Sequence, residues 1–319
     1  ANIPASTIEM EASLVYAVLF LLLTLMVFAA FRSIKGRLTM SAIIIFIIAA
    51  QTAGLWINLA QGIQREALSV HFLDIGQGDA TLIKSGDGSV ILIDGGRDFF
   101  LLDRELRQRQ VTHLDLLIIS HAHADHLGSV SELVKKYPVA AVIEPGVKYD
   151  SDVYRDFRQA LAANKIPRLI GRRHQKYNVG EVEIKILMPG KDLIIGSNSD
   201  VNNNSIVAKI EYKKFSLLLT GDIEEEAISE LSESRVDLKA QVLKVSHQGS
   251  KNGTTVALLK KVQPKYAIIS VGQGNPFGHP HQITLRRLNK FALKTLRTDQ
   301  NGDIYIGTDG NSIEMISDN

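Results

Sequence analysis

The chain has 319 residues, a net charge of +2 and no cysteine. That length holds one sizeable core plus an appendage, and the near balance of charge calls for no nucleic-acid partner through a global basic field. The absence of thiols excludes thiolate catalysis, thiolate metal ligands and disulfides together.

Hydrophobic residues are unevenly spread. Residues 12–31 (ASLVYAVLFLLLTLMVFAAF) carry no charge and match the length of a helix that spans a bilayer. A second apolar run covers 38–59, with Trp56 near its far end as an interfacial anchor. Two transmembrane helices are therefore expected within a membrane segment, 1–66, ahead of a second domain, 67–319. Arg32, Lys35 and Arg37 crowd the loop between the spans. The positive-inside rule puts that loop in the cytoplasm and everything after Leu59 on the extracytoplasmic side.

From Leu68 the pattern changes to short β-rich runs between Gly and Asp turns. Strands are expected at Leu68–Ile75, Ala80–Ser85 and Ser89–Gly96, a helix at Phe99–Gln110, and a buried strand at His113–Ser120. A helix at Leu127–Tyr137, a strand at Ala140–Pro145, a helix at Val153–Ala163 and strands at Ile166–Ile170 and Glu181–Leu187 follow. Ser205–Glu211 and Phe215–Thr220 pair around Tyr212-Lys213-Lys214. Helix Glu224–Ser232, strand Ala240–Val245, helix Thr254–Val262, strand Tyr266–Val271 and helix Gln282–Phe291 lead to a closing β-hairpin that turns at Asn301-Gly302. Strands and helices interspersed in both halves give an α/β (α+β) protein and suggest a four-layer αββα sandwich.

The chemistry centres on His121-Ala122-His123-Ala124-Asp125-His126, which directly follows an apolar strand. Imidazole suits Zn²⁺, and carboxylate suits Zn²⁺ or the harder Mn²⁺. One loop can give His121 and His123 to one ion and Asp125 and His126 to a second. Asp94, Asp222 and His247 each end a further apolar strand. Taken singly, Asp222 reads as the N-cap of the following helix, His247 as a surface-edge imidazole and Asp94 as a turn residue. Three polar tips offered to one rim favour a shared site instead.

These residues, in this order, resemble the metallo-β-lactamase superfamily from about Leu68 to the end. LSVHFLDIGQGDATLI, ILIDGG, SHAHADHLG, NNNSIV, LLTGD, LKVSHQGS, NPFGHP and TDQNGDI further resemble the C-terminal domain of ComEC-type DNA-uptake channel proteins. The apolar runs before them look like the last spans of that family's channel. The resemblance implies the αββα sandwich and two divalent ions, Zn or Mn. His121 and His123 would bind the first ion, Asp125, His126 and His247 the second, and Asp222 both; Asp94 would orient the His-rich loop. His279, in Gly278-His279-Pro280-His281, would contact a substrate phosphate or protonate a leaving oxygen.

The implied function is a membrane-tethered nuclease that cleaves DNA phosphodiesters during uptake, with other competence proteins as partners. The alternatives are a hydrolase of a small ester or lactam, and a catalytically impaired DNA-binding channel subunit. A third His for the first ion is missing. The matching position falls near Asn202-Asn203-Asn204-Ser205, so an Asn oxygen or water would complete that site, and Mn²⁺ is favoured. Gln248 stands where a second His is common in the subfamily. Arg168, Arg172, Arg173, His174, Lys176, Lys244 and Lys251 are candidates to track a DNA backbone.

Overall fold

A computed structural model describes residues 67–317 and a few helical positions between 46 and 54. The chain divides into two compact units, Ala1–Gln64 and Arg65–Asn319. Among the described residues no helix is long and apolar enough to cross a membrane. The span expected at 12–31, and all but those few positions of that at 38–59, lie outside the described residues.

The second unit opens with a meander. β1 (Leu68–Phe72) alternates buried and half-exposed residues, β2 (Thr81–Ser85) pairs antiparallel with it, and β3 (Val90–Ile93) pairs antiparallel with β2. The chain then continues in parallel through β4 (Leu116–Ile118), β5 (Val142–Glu144) and β6 (Arg168–Ile170). β3, β4 and β5 are buried along their whole length, as expected of strands covered on both faces. β14 (Ile304–Thr308) and β15 (Ile313–Ser317) complete this eight-stranded sheet beside β1.

The second sheet has seven strands. β7 (Lys176–Val179), β8 (Val182–Met188), β9 (Val207–Tyr212) and β10 (Phe215–Leu219) run antiparallel in turn. β11 (Val242–Lys244), β12 (Tyr266–Ile269) and β13 (Lys294–Arg297) extend it in parallel from β10. Ile83, Ile93 and Ile118 of the first sheet share one core with Ile184, Leu217 and Val242 of the second.

Each outer face carries helices. Leu102 and Leu106 of α1 (Phe99–Gln108), Leu133 of α3 (Val130–Lys136) and Phe157 of α4 (Asp152–Ala163) pack over Leu92 and Leu117. A one-turn α2 (Ala124–Leu127) precedes α3, and a one-turn α5 (Asp200–Asn203) precedes β9. Ile228 of α6 (Glu225–Glu233), Leu258 of α7 (Val256–Val262) and Leu288 of α8 (Gln282–Lys290) pack over Leu218 and Leu243. The layers are α, β, β, α, as expected.

Three sequence expectations need correction. Asn301-Gly302 does not turn a hairpin. It ends a one-turn α9 (Thr298–Asn301) that carries the chain from β13 in one sheet to β14 in the other; the final hairpin turns between Thr308 and Ile313. β7 was missed because it is a short, half-exposed edge strand of polar composition. The helix expected at Leu127–Tyr137 is two helices, broken at Gly128 and Ser129.

The basic residues are also mostly engaged inside the fold. Lys244 is buried and pairs with the buried Asp79 at 2.5 Å. Arg168 pairs with buried Glu144, Arg173 with Glu230 at 2.6 Å and Lys176 with Glu183 at 3.2 Å. Arg172 donates to the carbonyl oxygens of Pro145 and Gly171. His174 and Lys251 remain exposed, as does Lys176, whose pair lies on the surface. Lys244, whose ammonium faces the protein interior, is therefore not available to track a DNA backbone as its sequence context suggests.

The Asp79–Lys244 pair ties the β1–β2 turn of one sheet to β11 of the other, with both partners almost fully out of solvent. Removing one partner leaves an uncompensated buried charge. Lys244→Met is expected to destabilise the domain by about 3–5 kcal/mol in urea unfolding. The double change Asp79→Leu, Lys244→Met should recover most of that loss, and a double variant as unstable as the single would contradict this account.

Candidate metal centre

The parallel strands of both sheets end at one rim, and their tips carry the polar residues. β3 is followed by Asp94, β4 by Ser120 and His121, β10 by Asp222, and β11 by His247. Ile206 N–H donates to the Ser120 carbonyl at 2.8 Å and joins the two rims. Close approach demands small residues here. At Gly221, with φ +51°, a Cβ would lie 2.8 Å from Ser205 Cβ and 3.0 Å from Ser120 Cβ. At Gly78, with φ +146°, it would lie 2.3 Å from the Asp125 carbonyl oxygen. Asp94 and His247 themselves take left-handed backbone, with φ of 57° and 48°. Such strain in non-glycine residues persists only where the surroundings enforce it.

Asp222 is the hub. Its Oδ2 lies 3.3 Å from His126 Nε2, 3.7 Å from His247 Nε2 and 3.9 Å from His121 Nε2. It does not cap the following helix, whose N-cap is Glu224. His121 Nε2 and His123 Nδ1 face each other at 3.1 Å, and Asp125 Oδ2 stands 3.8 Å from His126 Nε2. All six ligands expected from the sequence, His121, His123, Asp125, His126, Asp222 and His247, are thus gathered at one place.

Three of the four imidazoles have a polar atom behind them, hydrogen-bonded for His126 and His121 and close without hydrogen-bond alignment for His247. Asp94 Oδ2 lies 2.9 Å from His126 Nδ1, Glu224 Oε1 lies 3.1 Å from His247 Nδ1, and Ser120 Oγ lies 3.0 Å from His121 Nδ1. An acceptor at Nδ1 fixes the tautomer whose Nε2 lone pair is free to bind a cation. Asp94 also accepts from Ser120 N–H and Oγ–H, both at 2.7 Å. Asp125 accepts from Gln248 Nε2 at 2.8 Å, and Gln248 bonds in turn to Gln77.

The electrostatics suit a cation. Burial drives the His121 pKa well below its ordinary value, and the charge of neighbouring His126 adds to this. Burial also works against charge on His126, but Asp222 and Asp94 outweigh it and raise its pKa. Burial would likewise raise Asp222, yet His126 and His247 hold its carboxyl well below the usual carboxylate range. His126 Nε2 and Asp222 Oδ1 are buried and make no hydrogen bond. Buried orphans on a carboxylate and an imidazole are what metal coordination satisfies. His121, His126 and Asp222 form one group of ligand atoms close enough to share an ion; Asp79, Asp94 and His126 form a second.

Among the three asparagines where a third His was sought, Asn203 Oδ1 accepts from Glu224 N–H and Asn204 Oδ1 from Ile194 N–H. Only Asn202 Oδ1 is buried without a partner, while its amide donates to Glu224 at 3.1 Å. His279 stands beside the centre, its ring 5.6 Å from that of His247. Burial first, and the His247 charge next, lower its pKa. His281 caps α8 by accepting from Ile283 N–H.

Sequence reasoning missed Asp79, Ser120 and Glu224. Asp79 follows the Gly76-Gln77-Gly78 turn and Glu224 lies two residues after Asp222, so both signals were local, but their partners are distant in sequence.

A family model for the metallo-beta-lactamase superfamily matches residues 73–273. ComE operon protein 3 of Bacillus subtilis is 31% identical over 254 residues, covering 74% of this chain and 32% of the relative. Recombination protein 2 of Haemophilus influenzae is 34% identical over 257 residues, covering 78% and 30%. This chain therefore spans about a third of the length of these relatives. The crystal structure of the metallo-beta-lactamase fold protein YhfI from Bacillus subtilis superposes with a TM-score of 0.52 at 15% identity, over 75% of this chain and 99% of that one, and so shares the fold. With more than half its length under the family model, the chain belongs to the metallo-β-lactamase superfamily.

Proposed function

We propose that this protein is a two-metal phosphodiesterase that cuts DNA during uptake. The observation that carries the chemistry is the buried Asp222 carboxylate. It has three imidazole Nε2 atoms around Oδ2 and an unpartnered Oδ1. The DNA context rests on the likeness to proteins named for competence and recombination, together with the motifs shared with the ComEC-type family.

In this reading His121 and His123 would hold one ion, Asp125, His126 and His247 the other, and Asp222 would serve both. Bound divalent ions, Zn²⁺ or Mn²⁺, would supply Lewis acidity toward phosphoryl oxygens and acidify the attacking water. The chain's own residues supply position. Asp94 and Ser120 lock the His126 and His121 rings by hydrogen bonds, and Glu224 stands beside His247 Nδ1. Burial lowers the His279 pKa and so favours the neutral imidazole, whose N–H would donate a hydrogen bond to the substrate phosphate.

A second reading, a DNA-binding channel subunit with impaired catalysis, draws on the absent third His. With Mn²⁺ and linear DNA, the wild-type protein is expected to cleave, and Asp222→Ala to lose at least about a hundredfold in rate. Binding without cleavage would favour the impaired subunit. Turnover of a lactam or small ester without DNA cleavage would favour a small-molecule hydrolase.

Metal content gives a separate check. Elemental analysis after Mn²⁺ or Zn²⁺ loading should find two ions per chain, and fewer than one would defeat the dinuclear scheme.

We further propose that the apolar runs at 12–31 and 38–59 anchor the catalytic domain to the cell membrane on its extracytoplasmic side. The charge between them supports this orientation. Protease added to intact cells should then degrade the catalytic domain, whereas full protection would place it on the other side.

A further inference from the structure

The loop from Gly272 to Pro280 joins β12 to α8 and borders the metal centre through His279. It contains no regular structure, yet it is tightly organised by one side chain. Asn275 Nδ2 donates to the carbonyl oxygens of Gly272 at 3.1 Å and His279 at 2.6 Å. Asn275 Oδ1 accepts from the backbone N–H groups of Phe277 at 3.2 Å and His279 at 3.0 Å. Gly272 N–H in turn donates to Gln77 Oε1 at 3.1 Å, which fastens the loop to the network that reaches Asp125.

This organised loop presents Phe277 to solvent. The residue is 62% exposed, an unfavourable position for so large an apolar group. Single exposed apolar residues are common on protein surfaces and need no explanation by themselves. Phe100, Ile195 and Ile316 are exposed too, but none is in ring contact with a residue of the centre. Phe277 is. Its ring lies 5.9 Å from that of His279 at an interplanar angle of 30°, and His279 meets the His247 ring edge-on at 5.6 Å. An aromatic face is therefore held two ring contacts from the metal ligands by a loop that four hydrogen bonds make stiff.

We propose that Phe277 is a nucleobase-stacking platform, which takes the base of a nucleotide next to the phosphate held at the metal centre. The inference rests on the phosphodiesterase reading and names how the strand is gripped. Base–aromatic stacking tolerates any sequence because every base has a π-face. A stiff loop adds to affinity, because little ordering is left to do on binding. His279, tilted under the same ring, then reaches the phosphate on the metal side of that base.

The test uses the full chain and two readouts. The first is the fluorescence of a short single DNA strand that carries 2-aminopurine, added in Ca²⁺; stacking quenches this base. Wild type should quench it, Phe277→Ala should lose the quenching and bind the strand about tenfold more weakly, and Phe277→Trp should restore both. The second is cleavage in Mn²⁺ of the normal strand beside one with abasic sites flanking the cut. Wild type should show a KM about tenfold lower for the normal strand, and Phe277→Ala should erase that preference. Cleavage and quenching that do not depend on Phe277 would overturn this inference and leave the nuclease reading standing. Phe277-dependent quenching without any cleavage would leave the platform standing and defeat the nuclease reading. Neither binding nor cleavage would defeat both.

Discussion

A carboxylate buried between two sheets needs positive charge close by, and the whole rim is arranged around that need. Asp222 is almost wholly out of solvent, and an unpaired charge there would cost several kcal/mol. Three imidazoles converge on its Oδ2, while Oδ1 is left without a partner. Protonated His126 can balance the charge, as the opposed shifts of the two groups show. A divalent cation would do so more completely and would satisfy the orphaned atoms as well. What a cation would add beyond His126 is a partner for Asp222 Oδ1 and His126 Nε2, which are otherwise left without one.

The same logic extends one layer outward. Every imidazole at the hub has an acceptor behind it: Asp94 for His126, Glu224 for His247, Ser120 for His121. Each partner comes from the same sheet as the ring it faces, so each sheet aims its own imidazoles, and the two sets meet at Asp222. Where the geometry could not be met by relaxed backbone, the chain accepts left-handed conformations at Asp94 and His247. Beneath them, the Asp79–Lys244 pair bridges the sheets within the core. It also explains why a lysine that looked like part of a DNA-binding surface is unavailable for that role.

The mouth of the site is built differently from its floor. The floor is polar and rigid through buried hydrogen bonds, whereas the mouth carries His279 and Phe277 on a loop templated by Asn275. Rings continue around the rim, with Tyr149 edge-on to His123 at 5.3 Å. On the proposed reading, a di-metal floor would handle a phosphate whatever its ester, and the aromatic mouth is where a preference for nucleotides would be expressed.

The sequence by itself determined the layer architecture and most of the site. Apolar strands that end in Asp94, His121, Asp222 and His247 are legible because a strand tip fixes where its next residue points, and the clustered HAHADH motif leaves little else for its three His and one Asp to do. Local patterns could not reveal pairings between distant segments. Lys244 looks like a surface cation until β11 is seen facing Asp79 across the sheets. Asn301-Gly302 looks like a hairpin turn until β13 and β14 are found in different sheets. Phe277 looks like an ordinary loop residue until its ring is found against His279. Each was decided only by tertiary structure, because burial, charge compensation and ring contact depend on which segments meet, and no residue carries that information alone.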